Sequence, residues 1–410
     1  EPYRRQRQMC IRDSHDIADA MANASWIRRM FEAGAELKQT LGPERVFDFS
    51  LGNPDVPPPA KAREALHALA EDAVRPCGLG YMPNAGLPAF RDALARKLSA
   101  EQGVALEGRH VIVTVGAAGA LVAFFRAVLE RGDEVLVPAP YFVEYGFYCG
   151  HFGGTLTPVP MRGPDFALDP EALLARVTDR TRVILLNSPN NPTGAIYPEA
   201  ALRRLAAAVE RLNATRARPL FLLFDEPYRV FAFDGAEVPP ALALGPHAVA
   251  LGSFSKSLSL AGERVGYIAL HPDLEGVGTL LAALTMTNRT LGFVNAPILG
   301  QKLAMALLDE RVDLAVYDAR RRAMARVLTE AGLRFALPKG AFYFFPEAPG
   351  GDDVAFCQRL LRHGVIAVPG RGFGMPGYIR LCCAVDIAII ERSAAAFREA
   401  YEEMRGSVEA

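Results

Sequence analysis

Short apolar runs alternate with amphipathic stretches through the middle of the chain. The runs predict strands at Val111–Val115, Glu134–Pro138, Thr155–Pro160, Arg182–Asn187, Leu220–Asp225 and His247–Ser253. Helical patterns lie between them at Ala118–Glu130, Pro170–Val177 and Pro198–Asn213. Several strands are continuous apolar runs, which is typical of a sheet buried on both faces. This alternation predicts an α/β fold with a mostly parallel sheet between helices.

The pattern changes in the C-terminal quarter. Residues Val294–Gly332 are helical in pattern, and Val312–Leu328 could form one long helix. Strands are then predicted near Ala341–Phe345, Val365–Val368 and Tyr378–Cys383, and helices at Asp352–His363 and Asp386–Met404. This part therefore predicts a smaller α+β domain.

A length of 410 residues favours two domains over a single core. We expect residues 1–19 to be a disordered or non-native extension, because Glu1–His15 is basic, polar and without periodicity. We expect residues 20–55 to join the small domain, residues 56–308 to form the large domain, and residues 309–410 to form the small C-terminal domain.

Charge and cysteine usage narrow the function classes. The chain has 45 basic and 46 acidic residues, so nothing in its charge indicates binding to nucleic acid or to an anionic membrane. Its 6 cysteines lack the spacing of a zinc site, and no metal is expected. A reducing, cytoplasmic location is the simplest interpretation. No apolar run approaches the ~20 residues of a membrane span.

Chemically informative residues follow the ends of predicted strands. One strand ends at Asp225, another runs into the amide-rich Asn187–Gly194, a third into Gly116–Gly119, and a fourth into Ser253 and Lys256. Each alone could be structural, as a helix cap, a turn or a tight packing contact. Because ligands of open α/β sheets bind at the carboxyl ends of strands, the four together predict a binding site.

Lys256 has the neighbours of a lysine that binds a phosphorylated aldehyde. Lysine can form a Schiff base with a carbonyl, as it does with pyridoxal phosphate (PLP). Ser253 and Arg264 supply the hydroxyl and guanidinium donors that a phosphate needs, within a stretch that also carries Gly262 and Gly266. Taken alone, such a motif is more often a solvated lysine beside a loop arginine, and the rest of the chain reverses that interpretation.

From roughly Ala20 to Met404, the chain resembles the class I/II aminotransferases of PLP fold type I, the aspartate aminotransferase superfamily. The segment Ser253–Gly266 fits the cofactor-attachment signature of that family. Further similar segments are Leu51–Asp55, Tyr81 with Gly86, Asn191–Gly194 and Gly340–Tyr343. The resemblance implies a PLP enzyme acting on amino acids and 2-oxo acids, and a homodimer with shared active sites.

The resemblance also implies roles at the cofactor ring. Lys256 would hold PLP and move a proton during the reaction, and Asp225 would pair with the pyridine nitrogen. Tyr228 and Asn191 would hydrogen-bond the phenolic oxygen. Phe142 would stack on the ring, although a core phenylalanine is the alternative.

The phosphate would be held at a helix start. The resemblance implies donation from the backbone N–H groups of Ala117 and Ala118 and from the side chains of Ser253 and Arg264. Tyr81 would reach the phosphate of the neighbouring subunit, with a buried core tyrosine as the alternative.

Substrate binding would use residues outside the cofactor domain. Arg380 resembles the arginine that binds the α-carboxylate, and Gly52 and Asn191 would contribute to the same site. Closure of the small domain would then exclude water. The family pattern also suggests cis peptides before Pro140 and Pro192.

The sequence leaves the substrate and the reaction outcome open. Arg289, Arg371 and Lys339 are candidates for binding a second carboxylate, although each could be a surface charge, and the neighbouring Leu291–Val294 would suit an apolar substrate. An aminotransferase is the leading interpretation. A carbon–sulfur β-lyase of the same fold and a non-catalytic PLP-binding regulatory domain are the alternatives.

Overall fold

A computed structural model describes residues 42–161 and 163–408, together with Met30, residues 33–34 and residues 37–40. The predicted extension at residues 1–19 lies outside the described residues. The strands are, in chain order, β1 (Phe47–Asp48), β2 (Val111–Val115), β3 (Glu134–Ala139), β4 (Thr155–Pro160), β5 (Thr181–Asn187), β6 (Phe221–Asp225), β7 (Ala248–Ser253), β8 (Val265–Leu270), β9 (Tyr343–Phe344), β10 (Val365–Ile366), β11 (Val368–Pro369) and β12 (Ile379–Cys382).

The α-helices surround these strands. Those from residue 42 onward are α1 (Lys61–Ala73), α2 (Pro88–Gln102), α3 (Gly116–Val128), α4 (Glu144–Gly150), α5 (Pro170–Leu174), α6 (Glu199–Asn213), α7 (Phe254–Ser257), α8 (Val277–Thr290), α9 (Ile298–Ala306), α10 (Leu314–Glu330), α11 (Asp353–Arg362), α12 (Ile387–Arg392) and α13 (Ala394–Val408). Several begin at an aspartate whose carboxylate accepts a backbone N–H of the first turn, as Asp352 does for α11.

The central sheet confirms the α/β prediction. Within the described residues, seven strands pair in the order β2-β8-β7-β6-β5-β3-β4. The strands predicted between residues 111 and 253 are all present, with ends that differ by at most one residue. Their continuous apolar runs serve both faces of the sheet: in β5, Val183 and Leu185 pack into one core and Ile184 and Leu186 into the other.

Strand β8 is the main difference from the sequence prediction, which contained no strand there. It lies between β2 and β7 and runs antiparallel to both, whereas the other neighbouring pairs are parallel. Its six residues are apolar or glycine and fully buried, so the signal was present in the sequence. Because β8 is antiparallel, its first residues lie at the edge where the parallel strands end.

The C-terminal part has its own apolar core. This core combines buried residues between Val312 and Met404 with Phe49 and with Tyr228, Phe231 and Phe233 from the loop after β6. The helix predicted at Asp386–Met404 is in fact two helices, α12 and α13, because the chain turns at Ser393, whose hydroxyl donates to the carbonyl of Ile390.

Predicted cis peptides are present at Ala139–Pro140 and Asn191–Pro192, and Ser188–Pro189 is also cis. Both flanking loops follow strands that end at the same edge of the sheet, β3 and β5. This edge carries the candidate site.

Candidate functional site

A cavity of ≈380 Å³ lies where β5, β6 and β7 end. All the predicted site residues except Tyr81 line it: Gly52, Ala117, Ala118, Phe142, Asn191, Asp225, Tyr228, Ser253, Lys256, Arg264 and Arg380. The cavity therefore combines residues from both cores with residues from the segment before α1.

Asp225, the last residue of β6, lines the cavity and is buried. Its Oδ2 accepts a 2.6 Å hydrogen bond from the hydroxyl of Tyr145, while its buried Oδ1 has no partner among the described residues. Burial raises the pKa of Asp225 to about 6, and the Tyr145 hydrogen bond opposes this rise. Asp225 thus offers one anchored oxygen and one free oxygen to a cationic or N–H donor.

Lys256 projects into the cavity from the short helix α7, directly after β7. Its Nζ donates to the carbonyl oxygen of Gly52 and lies 5.8 Å from the centre of the Phe342 ring. Burial first, and then the positive charges of Arg264 and Arg380, lower the pKa of Lys256 to about 8. The lysine is therefore far closer to its neutral, nucleophilic form than a solvated lysine.

An anion-binding cradle forms beside Lys256. The hydroxyl of Ser253 caps α7 by accepting the backbone N–H of Ser255, and it donates to the Ser255 hydroxyl at 2.8 Å. Arg264 Nη1 lies 3.4 Å from the same Ser255 hydroxyl. Gly116, the first residue of α3, has φ +67°, and a Cβ there would be 2.6 Å from Arg264 Nη2. Glycine therefore lets the guanidinium approach the N-terminus of α3, which carries Ala117.

Arg380 on β12 forms the opposite wall. It is buried between the rings of Tyr343 and Phe373, with its Cζ 5.0 and 4.7 Å from their centres. It donates to the carbonyl of Ser50 and to Asn191 Oδ1, while its buried Nε has no partner among the described residues. This is a guanidinium held rigidly with a donor to spare, as a carboxylate ligand requires.

Gly52 and Tyr228 meet at the hydroxyl of Tyr343. The two tyrosine hydroxyls are 2.8 Å apart. A Cβ at position 52 would lie only 1.9 Å from the Tyr343 hydroxyl, so only glycine fits there without displacing that ring. The segment carrying Gly52 is thus packed directly against the cavity wall.

Sequence reasoning missed the contribution of α4. Glu144, Tyr145 and Tyr148 from this helix line the cavity. The ring of Tyr145 contacts that of Phe142 edge-on, with 5.5 Å between their centres. The available signal was the nearness of Tyr145 to Phe142: Phe142 precedes the helix by two residues, and Tyr145 is its second residue.

The candidates for a second carboxylate-binding cation do not reach the cavity wall. Arg289 and Lys339 are exposed, and Arg371 forms an ion pair with Asp353 at 2.7 Å. Tyr81 is also outside the cavity, at 98% exposure. The prediction that it serves a neighbouring subunit stays a prediction.

The described residues contain no cluster of histidine, cysteine or acidic side chains that could hold a metal ion. Among the helices described, none is long and apolar enough to span a membrane.

The geometry combines four chemical functions in one cavity. A lysine with a lowered pKa lies near a buried carboxylate with a free oxygen, a cradle suited to an anion, and a second buried guanidinium. This set fits a ring that carries a cationic nitrogen, an aldehyde and a phosphate, together with a substrate carboxylate.

Comparison with known proteins agrees with this chemistry. The family description "Aminotransferase class I and II" matches residues 44–397. A probable aspartate/prephenate aminotransferase of Aquifex aeolicus is 33% identical over 377 residues, covering 88% of this chain and 92% of that protein. An aminotransferase structure from Eubacterium rectale superposes with a TM-score of 0.91 at 34% identity, covering 96% and 99% of the two chains. The aspartate aminotransferase of Thermus thermophilus with maleate gives 0.82 at 28% identity, covering 95% and 100%.

Proposed function

Because the chain belongs to the class I and II aminotransferases, PLP-dependent enzymes that move an amino group between an amino acid and a 2-oxo acid, we propose that the cavity around Lys256 is its active site. Family membership also favours amino-group transfer among the three functions that the sequence left open. The observation that carries the proposal is the pairing, in one cavity, of Lys256 at lowered pKa with the free Oδ1 of Asp225.

PLP, when bound, withdraws electrons from the substrate α-carbon through its protonated ring. Asp225 would keep the pyridine nitrogen protonated through Oδ1, while Tyr145 holds Oδ2. Tyr228 and Asn191 would hydrogen-bond the phenolic oxygen, and Phe142 would lie against the ring face. These roles use side chains that line the same cavity.

The cradle at the start of α3 would bind the phosphate. Ala117 and Ala118 would donate backbone N–H groups, and Ser253 and Arg264 side-chain donors. The αL conformation of Arg264, at φ 53°, directs the chain back into β8 immediately after the cradle.

Lys256 would bind the cofactor aldehyde covalently and then act as a general base and acid. With the cofactor bound, its amine would accept the proton that leaves the substrate α-carbon and donate it again to complete the transfer. A pKa near 8 suits both directions of this transfer near neutral pH.

Arg380 would bind the substrate α-carboxylate through its fork, with Gly52 and Asn191 beside it. Because Gly52 and Arg380 come from outside the cofactor-binding sheet, we propose that the C-terminal part closes over the substrate and excludes water. The separate apolar cores support a domain boundary near residue 308, and Phe49 packs in the C-terminal core, which supports assigning the described part of residues 20–55 to the small domain.

We further propose a homodimer in a cytoplasmic setting. Tyr81, Leu79, Met286 and Val294 are exposed large apolar side chains, and Asn84 Nδ2 joins the two segments that carry them by donating to the carbonyl of Val294. A second subunit would cover these side chains and receive Tyr81. Buried free thiols, including Cys149 and Cys357, support a reducing compartment. Sedimentation equilibrium tests the dimer, and a fully active monomer would refute it.

The proposed site is tested by the visible absorption spectrum of the purified protein with PLP. We expect a band of lysine-bound cofactor that is absent in Lys256→Ala and retained in Lys61→Ala, a matched exposed lysine. One amino donor should bleach the band to a pyridoxamine-type spectrum. Because the Aquifex aeolicus relative is named for aspartate and prephenate, aspartate belongs in the donor panel. A Lys256→Ala protein that still shows the band and its bleaching would refute the assignment of the active site to Lys256.

A further inference from the structure

One charged residue on the cavity wall has no role in the proposed function. The cations are Lys256, Arg264 and Arg380, and each has a role toward the cofactor or the α-carboxylate. The anions are Asp225, which faces the ring nitrogen, and Glu144, which has no role in the proposed chemistry. Glu144 is therefore the one cavity charge, within the described residues, that is left for the substrate side chain.

Glu144 is an unusual carboxylate for a protein surface. It is half-buried at the first position of α4, and no described residue forms a hydrogen bond or an ion pair with it. Burial raises its pKa, and no cation is near enough to oppose that effect. Burying a carboxylate that has no partner costs free energy. Because the surroundings are partly desolvated, a hydrogen-bond donor or a positive charge of a ligand is strongly attracted to it.

The cavity that Glu144 lines has apolar as well as polar walls. Leu51 and Leu121 line it too and carry no charge. Tyr148 lies beside Glu144: burial raises the pKa of that tyrosine to about 12, and the Glu144 charge adds to the rise. The structure thus provides contacts for an aliphatic stem and an acceptor for a terminal donor.

We propose that Glu144 sets the substrate class, selecting against amino acids with a side-chain carboxylate and for those whose side chain ends in a positive charge or a hydrogen-bond donor. This inference rests on the proposed aminotransferase function. Within one subunit, no cation for a second carboxylate lies on the wall formed by the described residues: Arg371 is paired with Asp353, and neither Arg289 nor Lys339 lines the cavity.

The test compares three donors of similar length: ornithine, norvaline and glutamate. In the PLP-loaded wild type, the specificity constant of the bleaching half-reaction should fall in that order. In Glu144→Gln, the specificity constant for ornithine should fall and that for glutamate should rise, each by about tenfold or more, as expected for removing one unit charge from a partly desolvated site. The specificity constant for norvaline should change little. Replacing a matched exposed carboxylate, in Glu64→Gln, should alter none of the three constants.

A binding measurement separates this inference from the reaction itself. Calorimetry with two unreactive acids, valerate and glutarate, should give the tighter dissociation constant for valerate in the wild type, and the preference should shrink in Glu144→Gln. Glu144→Thr provides a second, smaller replacement if the glutamine variant folds poorly. The inference is overturned if glutamate or glutarate is preferred by the wild type, or if Glu144→Gln changes all three donors by the same factor. Failure of every donor to bleach the protein would count against the proposed function, while the valerate-to-glutarate ratio would still decide the role of Glu144.

Discussion

The lowered pKa of Lys256 predicts how the apo-protein captures its cofactor as the pH changes. With a pKa of about 8 in place of the ordinary 10.5, the neutral fraction of Lys256 at pH 7 rises from about 0.03% to roughly 10%. Only the neutral amine attacks an aldehyde, so burial increases the reactive fraction about 300-fold. Burial and the neighbouring arginines disfavour the ammonium form of Lys256, so its pKa falls and the neutral amine forms at lower pH.

The assay is stopped-flow absorbance of apo-protein mixed with PLP from pH 6 to 10. Each rate is divided by the rate for N-acetyl-lysine amide at the same pH, which removes the cofactor's own ionisations. Below pH 8 both amines gain tenfold per unit, so the ratio is flat. Above pH 8 Lys256 is already neutral while the reference still gains, so the ratio should fall. The Lys256→Ala protein supplies the background from other lysines.

A ratio that stays flat to pH 10 would refute the reasoning, because Lys256 would then titrate like a solvated lysine. A fall that begins near pH 8 would support burial as the source of the activation, since burial is the largest cause of the shift.

Further predictions concern the supports of the site and its core. Tyr145→Phe removes the hydrogen bond to ionised Asp225, which is worth ~1.5–3 kcal/mol. The dissociation constant of PLP, measured by fluorescence titration, should therefore rise about tenfold or more. An unchanged dissociation constant would contradict this role of Tyr145. Gly52→Ala places a Cβ against Tyr343 and should lower kcat/KM with an intact cofactor spectrum; partial recovery in the double variant with Tyr343→Phe would identify the clash as the cause. Phe124→Ala empties a fully buried position and should cost ~3–5 kcal/mol in urea unfolding, while a loss below 1 kcal/mol would argue against tight packing there.

Most of the central sheet could be predicted because its strands are buried on both faces. A run such as Val183–Leu186 must be apolar at every position, and its ends are marked by the polar residues that follow. The direction of β8 could not be read in the same way. Antiparallel pairing with β2 and β7 is decided by tertiary contacts, and periodicity within Val265–Leu270 carries no information on direction.

Some residues of the candidate site could be predicted from the sequence and others could not. Asp225, Asn191 and Lys256 follow strand ends, and their placement follows from the topology of a parallel sheet. Glu144 and Tyr145 reach the cavity from a helix, and which face of a short helix points inward depends on how it packs. The sequence shows Glu144 and Tyr145 but does not show which of them face the cavity.

The antiparallel course of β8 means that one short reversal of the chain, from Ser253 to Arg264, supplies both the covalent and the ionic anchor proposed for the cofactor. Substrate recognition is assembled differently, from stretches as distant as Ser50 and Arg380. The lysine and phosphate anchors in this reversal and the arginine proposed for the substrate α-carboxylate are thus encoded in separate stretches of the gene. Substitutions in substrate-binding stretches that do not contact the cofactor can accumulate while the anchoring segment is kept, so the substrate can change without loss of the cofactor.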